Sequence, residues 1–234
     1  MSAPLIDVII AVYNGRQFIG EAIASVQAQT WKELRIIVAD DGSEDQTTAI
    51  VESLMLDDHR IELLKYPHRG VSATLNAAIE YGSAPFIAFL DADDLWEAEK
   101  LEKQMKALRT GTAEVCFCLI REFESLAKER AGTQQARSGP LKGYSKIAFL
   151  GKRKLFETYG GFDQQVRIGD FVEWFSRIIR AGLEQIMLEE VLAYRRVHDH
   201  NTTLGVDKSA FLGLIKAHLD EKRKPQTDAR GSDQ

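Results

Sequence analysis

Cysteine is nearly absent from this chain: Cys116 and Cys118 are the two among 234 residues, too few for a disulfide framework. Proline is scarce at five and glycine numbers seventeen, which excludes collagen-like and low-complexity chains. No apolar run, residues 8–13 and 86–90 included, approaches the roughly 20 residues that span a bilayer, so no transmembrane segment is predicted. Neither sign of charge dominates, since 30 Lys and Arg against 35 Asp and Glu leave a net charge of -5. Such a chain offers no broad field for a polyanion, and no nucleic-acid partner is expected. Ahead of the first apolar strand, Met1-Ser2-Ala3-Pro4 carries neither a basic segment nor a cleavage site, so the reading predicts a cytoplasmic protein. Several motifs are missing too. The first strand leads into Tyr13-Asn14-Gly15-Arg16 and not into a dinucleotide fingerprint or a lysine-bearing P-loop, and neither G-x-S-x-G nor H-E-x-x-H occurs.

What is present is an ordinary globular composition, 44% hydrophobic and 28% charged. Short apolar runs alternate with segments of helical period, which predicts stacked β-α units, an α/β fold and a mainly parallel sheet. Strands are expected at 6–12, 34–39, 61–66, 86–90 and 115–120, and helices at 18–30, 45–56, 71–81 and 97–109, with Gly82 in a C′ position after the third helix. Cys116 and Cys118 then share one side of a strand and read as reduced core thiols; a metal pair would want a second Cys or His pair at zinc spacing. Residues 127–143 are polar and predicted to be a mobile lid or linker. A smaller mixed half follows, with a short helix around Phe156, a helix over 171–181, a strand over 191–197, a closing helix over 208–219 and a polar tail at 221–234.

In an open α/β sheet, ligands bind outside the carboxyl ends of the strands. Acids gather there: Asp40-Asp41-Gly42-Ser43 after the second strand and Asp91-Ala92-Asp93-Asp94 after the fourth. Converging carboxylates repel one another unless a cation or a donor-rich ligand compensates, and a hard divalent ion with phosphate oxygens completing its shell is the natural partner. Asp45, by contrast, reads as a turn and helix-start residue.

These stretches resemble family-2 glycosyltransferases with the GT-A fold. The resemblance rests on Ile6 through Asn14, Ser25-Val26-x-x-Gln29-Thr30, Val38-Ala39-Asp40-Asp41-Gly42-Ser43-x-Asp45, Phe89 through Asp94 and Gly160-Gly161-Phe162-Asp163. It implies one GT-A domain over 1–220, with a nucleotide-sugar half at 1–110 and an acceptor-side half at 111–220. It further implies that Tyr13 stacks near uracil, that Asp41 meets the base or ribose, that Asp91 lies near the ribose, and that Ala11, Asp40 and Ala92 line the same donor site. Asp93, with Asp94, is implied to reach a Mn²⁺ or Mg²⁺ ion on the diphosphate, and His198 to complete that shell or touch the diphosphate. Arg69 and Arg196 are candidate phosphate partners; a plain surface role for Arg69 and a plain polar role for His198 are the alternatives.

Two positions depart from the family pattern. Leu75 stands before Asn76, where relatives often carry Arg. Where many relatives carry a Glu-Asp pair whose second carboxylate is the catalytic base, this chain has Gly169-Asp170-Phe171-Val172-Glu173. Asp170 is the favoured base and Glu173 the second candidate, while a helix start with no catalytic duty is the third reading. The expected activity is inverting transfer of a sugar from a nucleotide-diphospho-sugar, UDP the favoured nucleotide, to an acceptor hydroxyl or similar nucleophile. The acceptor class stays open among glycan, lipid-linked, peptide and small molecules. A sugar-nucleotide-binding module with impaired catalysis is the rival from another class; a nucleotidyltransferase has only Arg16 to support it.

Overall fold

The computed structural model describes residues 4–124, 139–166 and 169–198. Residues 127–138 of the predicted lid or linker at 127–143, the predicted 208–219 helix and the 221–234 tail lie outside them.

Four β-α units come first. Their elements are β1 (Ile6–Val12), α1 (Ile19–Gln27), β2 (Leu34–Asp40), α2 (Thr47–Asp57), β3 (Ile61–Lys65), α3 (Val71–Tyr81), β4 (Phe86–Phe89), a two-residue β5 (Leu95–Trp96) and α4 (Lys100–Arg109). β1, β2, β3 and β4 pair in parallel, and β1 and β2 are almost wholly buried. Continuous Val/Ile runs are what a strand covered on both faces requires.

The other strands are β6 (Val115–Glu124), β7 (Leu150–Lys152) and β8 (Gln185–Val197), with α5 (Lys154–Tyr159) and α6 (Asp170–Arg180) between the last two. The sheet order is β3-β2-β1-β4-β7-β6-β8-β5. β7 runs antiparallel to both β4 and β6, and β8 is parallel to β6. Two reversals restore direction, so β8 ends at the same edge as β1 to β4, and β7 begins there. The α/β class is as expected; the antiparallel pairings enter only with β5 and β7.

Tertiary partners reset several boundaries. α4 begins at Lys100 and not at 97 because Leu95 and Trp96 pair with Tyr194 and Ala193 of β8. α1 stops before Gln29, whose buried amide donates to Ser25 O and Glu97 O and accepts from Leu101 N, latching one helix end to the next helix start. Gly82 is not a left-handed cap. Its φ is -66°, and a Cβ there would collide with Asp7 and Arg153, so close packing selects glycine.

The second half shares the core of the first. Phe89 of β4 meets Phe149, Phe156 and Phe162, and Phe156 stacks on Trp174 of α6 at 4.1 Å between ring centroids. Trp174 Nε1 also donates to Gly160 O, and Asn76 of α3 exchanges two 2.8 Å hydrogen bonds with Phe162. The Gly-Gly-Phe-Asp turn thus anchors α6, and with it Asp170, to the sheet.

Cys116 and Cys118 are free, buried thiols. Burial pushes Cys116 up to about 12 and Cys118 also upward, against the charge of Lys100. Lys100 is itself fully buried: its Nζ donates to Gln104 Oε1 at 2.8 Å and Phe149 O at 3.3 Å and lies 3.9 Å from the Trp96 ring centre. Burial lowers its pKa to about 8. Below that pH the amine is protonated in both states; between about 8 and the unfolded value, the unfolded chain holds the extra proton, so stability rises with pH. The stability of the wild-type protein relative to Lys100→Met is therefore expected to rise by on the order of 3 kcal/mol from pH 7 to 10.5. Urea titrations that stay parallel for the two proteins over this range contradict the assignment.

Candidate active site

The shared carboxyl edge collects side chains from seven segments. After β1, the Tyr13 ring is 47% exposed and lies 4.3 Å, centroid to centroid, from the His68 ring. Asn14, with φ 52°, receives Glu44 N on its Oδ1 and donates its amide to Ser43 Oγ, clamping the β1 loop to the β2 loop. Asp45 accepts from Thr47 N at the start of α2, as expected of a turn residue. Ala11 and Ala92 pack partly exposed against the edge of the core.

The two acids after β2 have different surroundings. Asp41 is 4% exposed and accepts from Arg69 N, Gly70 N and Thr74 Oγ1 at 2.9, 3.0 and 2.7 Å, with His68 Nδ1 3.0 Å away. These donors satisfy its two oxygens, so its work in the free protein is to fix the loop that starts α3. Gly42 is required where the loops meet: φ is 81°, and a Cβ would fall 2.7 Å from His68 N. Asp40 accepts from Gly42 N and Ser43 N on Oδ2, while its buried Oδ1 has no hydrogen-bond partner among the described residues. Arg69 lays its guanidinium 3.8 Å from the Tyr66 ring centre.

The three acids after β4 separate in the same way. Asp93 meets His198, which follows β8, with Oδ2 2.8 Å from Nε2. Asp94 is turned inward and accepts from Arg196 N at 2.8 Å; burial, then the charges of Asp93 and Asp91, raise its pKa well above the usual carboxylate range. Asp91 lies 3.2 Å from the ammonium of Lys146, the residue that opens the turn before β7. Arg196 donates from Nε to Asp93 O and from Nη2 to Glu21 Oε2, with Phe18 and Phe123 at its faces, which braces the loop instead of presenting the guanidinium to the cleft.

Gly169 adopts φ 84° at the head of α6, so the helix begins on Asp170 at the cleft edge. Asp170 is 8% exposed and accepts from Ser72 Oγ at the start of α3, 3.2 Å away. Glu173 lies elsewhere: its Oε1 is 3.1 Å from Arg177 Nε, a charge contact without hydrogen-bond alignment, and Arg177 grips Tyr159 O and Gly161 O.

The fold thus brings together Tyr13, Asp91, Asp93, His198 and Asp170 at one edge, while Asp41, Asp94, Arg196 and Glu173 are engaged by the protein itself. Lys146, Ser72 and His68 were not evident in the sequence. Lys146 stands alone in a polar stretch with no periodic pattern, and only the reversed direction of β7 puts it here.

The sequence matches the family model for glycosyl transferase family 2 over residues 7–175. The chain belongs to this family. Among curated relatives it is 36% identical, over 219 residues, to the GalNAc(5)-diNAcBac-PP-undecaprenol beta-1,3-glucosyltransferase of Campylobacter jejuni, covering 89% of this chain and 70% of that one. Against the putative glycosyltransferase EpsH of Bacillus subtilis it is 30% identical over 67% of this chain and 46% of that one. Against the UDP-Glc:alpha-D-GlcNAc-diphosphoundecaprenol beta-1,3-glucosyltransferase WfgD of Escherichia coli it is 40% identical over 44% of this chain and 41% of that one. The chain therefore spans about half the length of several relatives it matches. Two solved structures share the GT-A fold of this family 2 member. S. aureus TarS 1-349 in complex with UDP-GlcNAc has a TM-score of 0.73 at 17% identity, covering 95% of this chain and 68% of that one. The mannosyltransferase PcManGT from Pyrobaculum calidifontis, in complex with GDP-Man and Mn²⁺, has a TM-score of 0.69 at 20% identity, covering 97% and 66%.

Proposed function

We propose that this family 2 protein is an inverting glycosyltransferase that moves a sugar from a nucleotide-diphospho-sugar to an acceptor hydroxyl. The observation that carries the reading is the meeting, at one sheet edge, of an exposed aromatic ring, the Asp93–His198 pair and the buried carboxylate of Asp170. UDP is the favoured nucleotide, since UDP-Glc stands in the WfgD name and UDP-GlcNAc is bound in the TarS structure. The diphosphoundecaprenol in two relatives' names makes a lipid-diphosphate-linked sugar the favoured acceptor. No helix among the described residues is long and apolar enough to cross a membrane; the reading is of one domain over 1–220 working in the cytoplasm.

The mechanism is a single displacement. Asp170 takes the proton of the acceptor hydroxyl while that oxygen attacks the anomeric carbon from the face opposite the diphosphate. The bond from that carbon to the phosphate oxygen breaks, and the diphosphate leaves with the electron pair. Ser72 holds the Asp170 carboxylate in orientation.

Among the described residues no three His, Cys, Asp or Glu side chains form a metal cluster. A carboxylate and an imidazole already converging at 2.8 Å nevertheless fit Mn²⁺ or Mg²⁺, which commonly keep one or two protein ligands and fill the rest with water and phosphate oxygens. Asp93 and His198 would hold the ion; Asp94, turned to Arg196 N, would support Asp93 from behind. When bound, the ion supplies neutralisation of charge on the diphosphate.

Saturating UDP is expected to raise the melting temperature by several degrees more with Mn²⁺ than with EDTA, because a ligand at 100 times its Kd stabilises the folded state by about 2.7 kcal/mol. Asp93→Asn should erase the difference. Equal stabilisation by UDP with Mn²⁺ and with chelator in the wild-type protein contradicts the metal assignment. Donor binding without turnover by any acceptor would favour the binding-module reading instead.

A further inference from the structure

His68 lies in the loop from β3 to α3, at the carboxyl edge, and takes no part in the displacement described above. Its side chain is 59% exposed, and its ring centre lies 4.3 Å from that of Tyr13, with the two planes tilted by 32°. One nitrogen of the imidazole is already committed. Nδ1 is 3.1 Å from the Asp41 carbonyl oxygen and 3.0 Å from Asp41 Oδ2. Both of these are acceptors, so Nδ1 carries the proton, and in the neutral ring Nε2, on the edge away from Asp41, is left as an acceptor.

Asp41 is not placed to do the same work. Four donors surround its carboxylate, Arg69 N and Thr74 Oγ1 at Oδ1, Gly70 N and His68 Nδ1 at Oδ2. A donor from a ligand would have to displace one of them and leave a sheltered group unpaired, which is costly. The two rings also limit where a flat ligand fits. Stacked rings stand about 3.5 Å from each neighbour, so a third ring cannot enter between planes whose centres are 4.3 Å apart. A base on the uncovered part of Tyr13, which is 47% exposed, therefore turns one edge toward the imidazole.

We propose that His68 selects the nucleobase: its Nε2 accepts the imide N–H of a uracil stacked on Tyr13. Uracil offers a donor at N3, whereas cytosine presents a lone pair at the same ring position, which would face the lone pair of Nε2. The proposal rests on the nucleotide-sugar reading of this edge. It assigns the choice of UDP over CDP to His68, with Asp41 fixing the tautomer and direction of the imidazole and making no contact with the base itself.

The test is calorimetric titration of the full chain, with Mn²⁺ at about pH 8, by UDP, CDP and N3-methyluridine 5′-diphosphate, in which a methyl group replaces the imide hydrogen. The wild-type protein is expected to bind UDP at least about tenfold more tightly than either analogue. That comparison needs no variant. His68→Ala should lose about tenfold in UDP affinity while neither analogue weakens by more than about threefold, so the discrimination collapses. UDP and the methylated analogue bound within about twofold by the wild-type protein overturns the proposal. So does a His68→Ala variant that weakens all three ligands alike, or one that binds UDP as tightly as wild type or more tightly. Each of these leaves the glycosyltransferase reading intact so long as UDP-glucose or UDP-GlcNAc is turned over. Discrimination that appears in the wild-type protein and is lost with His68, in a protein that turns over no nucleotide-sugar, counts against that reading and not against the role of His68.

Discussion

Replacing Asp170 by Asn is expected to lower turnover by roughly 100-fold or more while leaving donor affinity nearly unchanged. The amide has the same shape and can still accept from Ser72 Oγ through its carbonyl oxygen, so packing at the head of α6 survives and only the proton acceptor is lost. Glu173→Gln should do far less to turnover, because Glu173 lies beside Arg177, one helical turn along, and Arg177 braces the Tyr159 to Gly161 segment. Its cost should appear instead in stability, within about 1 kcal/mol, as expected for a partly exposed i,i+4 pair. Both variants are to be measured with the same donor and acceptor, turnover beside donor binding. Activity lost in Glu173→Gln and kept in Asp170→Asn would exchange the two roles; activity kept in both would place the base elsewhere.

The second large effect lies at the opposite edge of the sheet. Asp7, second in β1, is wholly buried and accepts from Arg35 Nε at 2.9 Å, Arg153 Nη2 at 2.5 Å and Ala84 N at 2.9 Å. Arg153 also donates to Ala84 O and Ile79 O, so one carboxylate ties β1, β2, the end of α3 and the start of α5 together. Removing one partner of a buried ionic group leaves the other charges uncompensated, which typically costs about 3–5 kcal/mol. Asp7→Ala should therefore unfold on the order of 10 °C lower than wild type, given about 2–4 °C per kcal/mol for a chain of this size. The protein that remains folded should bind UDP as before, because Asp7 sits at the amino end of a strand whose carboxyl end carries Tyr13. A melting temperature within about 2 °C of wild type would show that the network contributes little; UDP binding lost from folded protein would show that the two edges are coupled.

Much of this architecture was legible from local rules. Hydrophobic runs of strand length, helical spacing between them and acids after the second and fourth runs located β1 to β4 and the sheet edge where those acids gather, since strand burial and turn chemistry act within a few residues. β1 and α3 were placed to the residue. The lone Asp170, the Asp93 and His198 candidates and the exposed Tyr13 were also visible, because each carries an unusual side chain just outside a predicted element.

Local pattern could not rank acids of the same type. Asp40 and Asp41, or Asp93 and Asp94, are equivalent neighbours in a sequence. Which of them faces a ligand depends on whether a loop from elsewhere brings donors, as the 68–74 segment does for Asp41 and the Arg196 amide does for Asp94. The same holds for Lys146, for the buried Lys100 and for Arg196. Each found its partner at a separation of tens of residues or more, or in a packed interior, through a strand order that composition does not encode.

What the sequence alone determined is therefore the α/β class, the order of the first β-α units and the sheet edge at which the acids gather. The tertiary structure decided which carboxylates the protein's own donors occupy, Asp41 and Asp94 among them, and it placed Lys146 beside Asp91. The physical reason is reach: periodicity and turn preference are set within one or two turns of chain, whereas a buried charge is satisfied only by whatever the completed sheet brings beside it.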